Sequence, residues 1–211
     1  LMRVGEPMYV FYGYVEDGYD ENGHIVYKNM DDDPAITAAD KTIIGDPNPD
    51  FLVNLTTAVS YKGFTLSAFF QSSIGNDIYS LSMAAQAYDY GYNGNTLREV
   101  YYNHWTPENP TAKYPNLDQT SYKMSDRFVY DGSFVRLKNL ELAYDVPCAR
   151  NKFIKRARVY VSAQNLFTIT SYPFWDPDIN ANGGGSSMIQ GVDSYCYPSA
   201  RTYTIGCRLT F

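Results

Sequence analysis

The feature that most limits what this chain can become is a period of two. In residues 201–211, RTYTIGCRLTF, the positions Tyr203, Ile205, Cys207, Leu209 and Phe211 alternate with Thr202, Thr204, Gly206, Arg208 and Thr210. Successive strand side chains point to opposite faces, so this run has one apolar face and one wet face. Chain ends normally fray and carry polar residues, whereas this pattern runs to the final aromatic side chain. Four earlier runs repeat it. Residues 51–61 set Phe51, Val53, Leu55, Thr57, Val59 and Tyr61 against Asn54, Thr56, Ala58 and Ser60, and 64–73 set Phe64, Leu66, Ala68 and Phe70 against Thr65, Ser67, Gln71 and Ser73. Lys62-Gly63 between them predicts a tight hairpin. Residues 134–146 place Leu140, Leu142, Tyr144 and Val146 opposite Glu141 and Asp145, and Val135 and Leu137 join that face only through a bulge near Lys138-Asn139. In 157–169, Val159, Val161, Ala163, Phe167 and Ile169 share a face that Asn165 interrupts.

The connections alternate in length: two residues at 62–63, about sixty at 74–133, a short link at 147–156 and a long one at 170–200. Outer-membrane barrels have short periplasmic turns and long extracellular loops, which puts both short links and Phe211 on the periplasmic side. Aromatic girdles are expected at Tyr61, Phe64, Tyr144 and Phe211 below, and at Phe51, Phe70, Phe167 and Tyr203 above. On this reading Tyr203, Ile205, Leu209 and Phe211 anchor in outer-membrane lipid.

Composition narrows the alternatives. Of 211 residues, 21 are Tyr and 11 Phe, an aromatic share that suits surfaces with one apolar and one wet side. A net charge of −6, without a Lys/Arg cluster, argues against nucleic acid. No stretch is long and apolar enough for a transmembrane helix, which leaves transmembrane strands open. The opening LMRVGEPMYV lacks a secretory-signal pattern, so a mature product or a piece of a longer protein is expected. Cys148 and Cys196 fall on opposite sides of a band about 25 Å tall, too far apart for a disulfide. One-sided alternation also fits a soluble β-sandwich, and a soluble all-β carbohydrate-binding module is the alternative. Polar faces rich in Ser, Thr and Gln, together with the alternating loop lengths, favour hydrocarbon outside and water inside. Five strands cannot close a barrel, so the barrel reading requires further strands.

The segments GDPNPDFLVNLTTAVSYKGFTLSAFFQSSIGNDIYS, HWTPENPTAKYPN, SDRFVYDGSFVRLKNLELAYDVP, RVYVSAQNLFTITSYPFWDPD and YPSARTYTIGCRLTF, in that order, resemble the C-terminal end of the SusC/RagA family of TonB-linked outer-membrane proteins. The resemblance covers roughly residues 43–211. It implies an all-β fold, the last strands of an antiparallel transmembrane β-barrel of about 22 strands with an N-terminal plug and long extracellular loops containing short helices. It also implies a TonB-dependent importer of glycans or peptides that works with a SusD-like surface lipoprotein and meets TonB through an N-terminal part outside this sequence. Residues 1–50 then form an extracellular segment and 51–211 the barrel strands and their loops.

Within 1–50, the family often carries an acidic calcium-type loop. Asn29, Asp31, Asp33 and Asp40 keep positions 1, 3, 5 and 12 of such a loop, but Pro34 stands where the turn needs Gly, so a solvated acidic loop is the alternative to bound calcium. In 74–133, Thr96 and Glu99 predict a capping box for a short helix. Tyr88, Tyr90, Tyr92, Tyr101, Tyr102 and Trp105, with Trp175 and Tyr195 of the last loop, are candidates for stacking on substrate or packing on a partner, against the alternative that they pack on one another. The glycine run at 182–187 suggests slack for loop movement. His24 and His104 lack a paired nucleophile and no phosphate loop is present, so no enzyme activity is expected.

Overall fold

The computed structural model describes residues 3–88, 95–119, 121–147, 153–179 and 190–211. The strands, in chain order, are β1 (Phe11–Gly13), β2 (Glu16–Tyr19), β3 (Ile25–Tyr27), β4 (Thr42–Gly45), β5 (Phe51–Tyr61), β6 (Phe64–Ile74), β7 (Asp77–Ser80), β8 (Val129–Asp131), β9 (Phe134–Val146), β10 (Arg156–Thr170), β11 (Val192–Asp193) and β12 (Thr202–Thr210). Two helices, α1 (Leu81–Tyr88) and α2 (Arg98–Tyr102), lie between β7 and β8. None of the described helices is long and apolar enough to cross a membrane. The chain divides into two compact units. Leu1–Asn48, Asn76–Asp131 and Ile179–Cys196 form one unit, and Pro49–Gly75, Gly132–Asp178 and Tyr197–Phe211 form the other.

The second unit is one antiparallel sheet in the order β12-β10-β9-β6-β5. Its register lines the apolar residues up in rows. Tyr61, Phe64, Tyr144, Val159 and Cys207 form one row, and Val59, Leu66, Leu142, Val161 and Ile205 form the next. The opposite face carries Ala58, Ser67, Glu141, Ser162 and Thr204 in register. A one-residue slip in any strand would throw its whole apolar set to the other face, so the pattern specifies this pairing strongly. Ile205 is 86% exposed and Val59 65%, so the apolar face is uncovered.

Local chemistry fixes the hairpin and the kinks. Lys62 and Gly63 both have positive φ, 47° and 86°, the two-residue turn whose twist matches its flanking strands. A Cβ on Gly63 would approach the Tyr144 ring to 3.1 Å, and the Phe64 and Tyr144 rings sit 4.5 Å apart just beyond the turn. The bulge expected near Lys138-Asn139 is present: Asn139 pairs with Phe69 and Leu137 with Phe70, which leaves Lys138 as the extra residue. On β10, Gln164 pairs with Asn139 and Phe167 with Leu137, and Asn165 takes the left-handed conformation at φ 51°. The polar interruption at 165 is therefore a bulge residue, a place Asn tolerates and a β-branched residue does not.

The first unit is built from shorter pieces: the pair β1-β4, the hairpin β2-β3 and the sheet β11-β7-β8, in which β11 runs parallel to β7. Its core gathers Val10, Phe11, Tyr14, Ile78, Val100 and Phe128, all buried. Helix α1 begins where Ser80 Oγ accepts the Met83 N–H at 3.2 Å, an N-cap at the head of a Ser-then-apolar run. At α2 the expected capping box does not form. Thr96 Oγ1 donates instead to the Gln86 carbonyl at 2.8 Å, and Glu99 accepts from Lys113 Nζ at 2.8 Å. Both side chains find partners outside the helix, and so neither satisfies its first N–H groups. The Thr-x-x-acid arrangement works instead at Thr37 and Asp40, around the turn Ala38–Asp40.

Candidate functional site

The wet face of the second unit carries a buried guanidinium. Arg136 alternates with Val135 and Leu137 on β9, and its side chain is only 2% exposed. Its Nε donates to Thr168 Oγ1 on β10 at 2.9 Å, and Nη1 lies 3.4 Å from both Asp178 Oδ2 and Ser199 Oγ. Nη2 pairs with Asp176 Oδ1. That carboxylate also accepts the N–H of Asp178 at 2.9 Å and of Ser199 at 2.8 Å. Burial alone would lift the Asp176 carboxyl, but the Ser199 and Asp178 N–H groups and Arg136 together outweigh it and hold the group below its ordinary value. The pair thus pins two loop segments, 174–178 and 198–199, to the sheet.

Around this anchor lies a cleft of about 410 Å³. Arg136, Thr168 and Asn165 form its floor, while Trp175, Pro177, Pro198 and Arg201 rise around it. Trp175 is 64% exposed although its neighbour Asp176 is buried, because the Asp-Pro-Asp turn fixes one and turns the other outward. Neither Arg136 nor Arg201 was singled out from sequence. An Arg in a wet-face position of a strand signals only polarity until the loop that folds onto it is known.

The other candidates are dispersed. Tyr195 is exposed, with its N–H bonded to Ser82 Oγ at 2.7 Å. Tyr101 and Tyr102 are exposed and meet edge to face at 5.3 Å, and His104 Nδ1 donates to the Tyr101 carbonyl at 2.7 Å. Trp105 lies against the β2-β3 turn so closely that a Cβ on Gly23 would come within 2.3 Å of its ring. Tyr88 ends α1, and Tyr90, Tyr92, Cys148 and the glycine run 182–187 lie outside the described residues. Cys196 and Cys207 are free thiols. Tyr203, Ile205, Leu209 and Phe211 are all exposed.

The acidic loop is a chain of turns. Asn29 Oδ1 accepts the Asp31 N–H at 3.0 Å, Asp31 the Asp33 N–H at 2.8 Å, and Asp33 the Ala35 N–H at 3.0 Å. Asp40, fully buried, accepts from the Met30 and Thr37 N–H groups at 2.7 Å each. Those donors, Met30 foremost, hold its carboxyl below the usual range. Among the described residues no three His, Cys, Asp or Glu side chains are grouped as metal ligands.

An antiparallel sheet with tall strands, rows of exposed apolar side chains on one face and a polar, loop-filled face on the other is an arc of β-barrel wall. Comparison with known proteins makes that class specific. No family model matches the chain. It is 32% identical over 232 residues to TonB-dependent receptor P3 of Formosa agariphila, in a match that covers 100% of this chain and 23% of that protein. It is 30% identical over 215 residues to TonB-dependent receptor SusC of Bacteroides thetaiotaomicron, covering 99% of this chain and 20% of that one. The fold superposes on a chain of the RagAB peptide importer in its open-open state with a TM-score of 0.78 and 27% identity, covering 96% of this chain and 22% of that chain. The chain belongs to the SusC/RagA-like TonB-dependent receptors. It spans about a fifth of the length of the curated relatives it matches.

Proposed function

We propose that these residues form part of the wall and the extracellular loops of an outer-membrane TonB-dependent importer of glycans or peptides. The observation that carries this reading is the register that lines Val59, Leu66, Leu142, Val161 and Ile205 across five strands on an uncovered face. A soluble carbohydrate-binding sandwich would need a second sheet on that face, at about 25 cal/mol for each Å² left wet. Hydrocarbon removes the requirement. The open edges of β5 and β12 need further strands of the same barrel, because an unpaired backbone group in lipid costs several kcal/mol. The remaining parts of the machine, a plug and the segment that meets TonB, belong to the rest of the receptor. The long loops, with exposed Tyr101, Tyr102, Trp175 and Tyr195, are the surface offered to a SusD-like lipoprotein and to substrate.

The test is cysteine labelling of the complete receptor in native outer membranes, on a background with the natural cysteines replaced. Ile205→Cys and Leu142→Cys should resist a membrane-impermeant maleimide, whereas Thr204→Cys and Ser162→Cys should react once the plug is displaced. Uniform reactivity would refute the wall assignment. Shortening 183–187 should slow uptake or weaken capture of the lipoprotein without harming barrel assembly; unchanged uptake and capture would remove the last loop from the partner surface.

A further inference from the structure

The cleft over β9 and β10 is lined by one cation without an acidic partner and one exposed ring. Arg136 and Asp176 saturate each other and are closed further by Thr168, Ser199 and Asp178. Arg201, on the rim, has no carboxylate partner among the described residues, so the positive charge facing the cleft is its own. On the floor, Asn165 Nδ2 donates to the Ala200 carbonyl at 2.9 Å, which fixes the orientation of the amide. Its Oδ1 is consequently turned away from that bond, and it is buried without a donor. Trp175 supplies a flat apolar face beside them, held by the Asp176 anchor and by Pro177. The volume, about 410 Å³, lies within the range of small-ligand sites.

We infer that this cleft binds a carboxylate that carries an apolar face, with Arg201 on the carboxylate and Trp175 against the face. Uronic acids and peptide C-termini share that chemistry. The inference rests on the importer reading for the origin of the ligand and not for the binding itself. An exposed guanidinium donates two parallel N–H bonds to the paired oxygens of a carboxylate, and an ester or amide lacks that charged pair of acceptors.

The complete receptor, purified in detergent, is titrated calorimetrically with digalacturonate and with acetyl-Ala-Ala, each beside its neutral counterpart, the methyl ester and the C-terminal amide. At least one acid should bind tenfold or more tightly than its neutral form. Arg201→Gln should erase that gap, Trp175→Ala should weaken acid and neutral forms alike, and Arg208→Gln, outside the cleft, should preserve it. Preference for one acid alone identifies the source. Equal binding of acid and neutral forms, an undiminished gap in Arg201→Gln, or no binding of any of the four would overturn the assignment. Acid-selective binding in a receptor that fails the labelling pattern above would sink the wall reading and leave the cleft standing. The reverse result would sink the cleft alone.

Discussion

Placing arginine at Ile205 and, separately, at Thr204 puts the same charge on neighbouring residues of one strand and on opposite faces of the sheet. Ile205 ends the row Val59, Leu66, Leu142, Val161, with no polar side chain in that row. A guanidinium there meets hydrocarbon, at about 2–4 kcal/mol near the bilayer midplane. That is roughly a 30- to 700-fold loss in the ratio of folded to unfolded receptor. Thr204 lies in the row containing Ser162 and Glu141, and Glu141 already takes Arg158 at 3.6 Å on that face. A new guanidinium at 204 has water and a carboxylate within its row, so its cost should stay below about 1 kcal/mol. The complete receptor, refolded from urea into lipid vesicles and followed by its heat-modifiable gel mobility, gives both numbers. Ile205→Arg should shift the midpoint to much lower urea or abolish insertion, while Thr204→Arg should track the native protein. Equal losses, or the larger loss at 204, would refute the assignment of faces and the register on which it stands.

Arg136→Met should cost about 3–5 kcal/mol, because it leaves the Asp176 carboxylate buried without its partner; Arg136→Met with Asp176→Leu should recover most of that in the same refolding assay. Gly23→Ala should loosen the β2-β3 turn by about 1–3 kcal/mol, since a Cβ there strikes the Trp105 ring and the residue sits at φ 79°; limited proteolysis between Tyr19 and Ile25 reports it, and native-like resistance would refute the contact. Asp40 contributes stability above its unfolded value of 3.8 that is lost as pH falls through the lower folded value. Amide protection at Met30 and Thr37 should therefore survive at pH 3.8 and fail only below it, and protection already lost between pH 5 and 4 would contradict the two hydrogen bonds.

The five long strands were legible because their side chains alternate and because lipid on one side and water on the other enforce a period of two over the whole length of each. The bulge at Lys138 was legible for the same reason, since Leu137 and Leu140 cannot share a face without an extra residue between them. The family resemblance was legible in the ordered segments. Short elements were not: β7, β8 and β11 hold only two to four residues each, too few to show a period. The capping box at Thr96 failed because a local motif states which hydrogen bonds are available, and tertiary neighbours, here Gln86 and Lys113, decide which are made. Trp105 could not be told from Trp175 in sequence, since one meets the backbone of a turn 82 residues away and the other an open cleft. The cleft itself joins residues from 136, 165, 175 and 201, and only the pairing of β9, β10 and β12 brings them together. Alternation is written residue by residue along a strand, whereas the meeting of a loop arginine, a bulge asparagine and a tryptophan depends on which strands lie side by side.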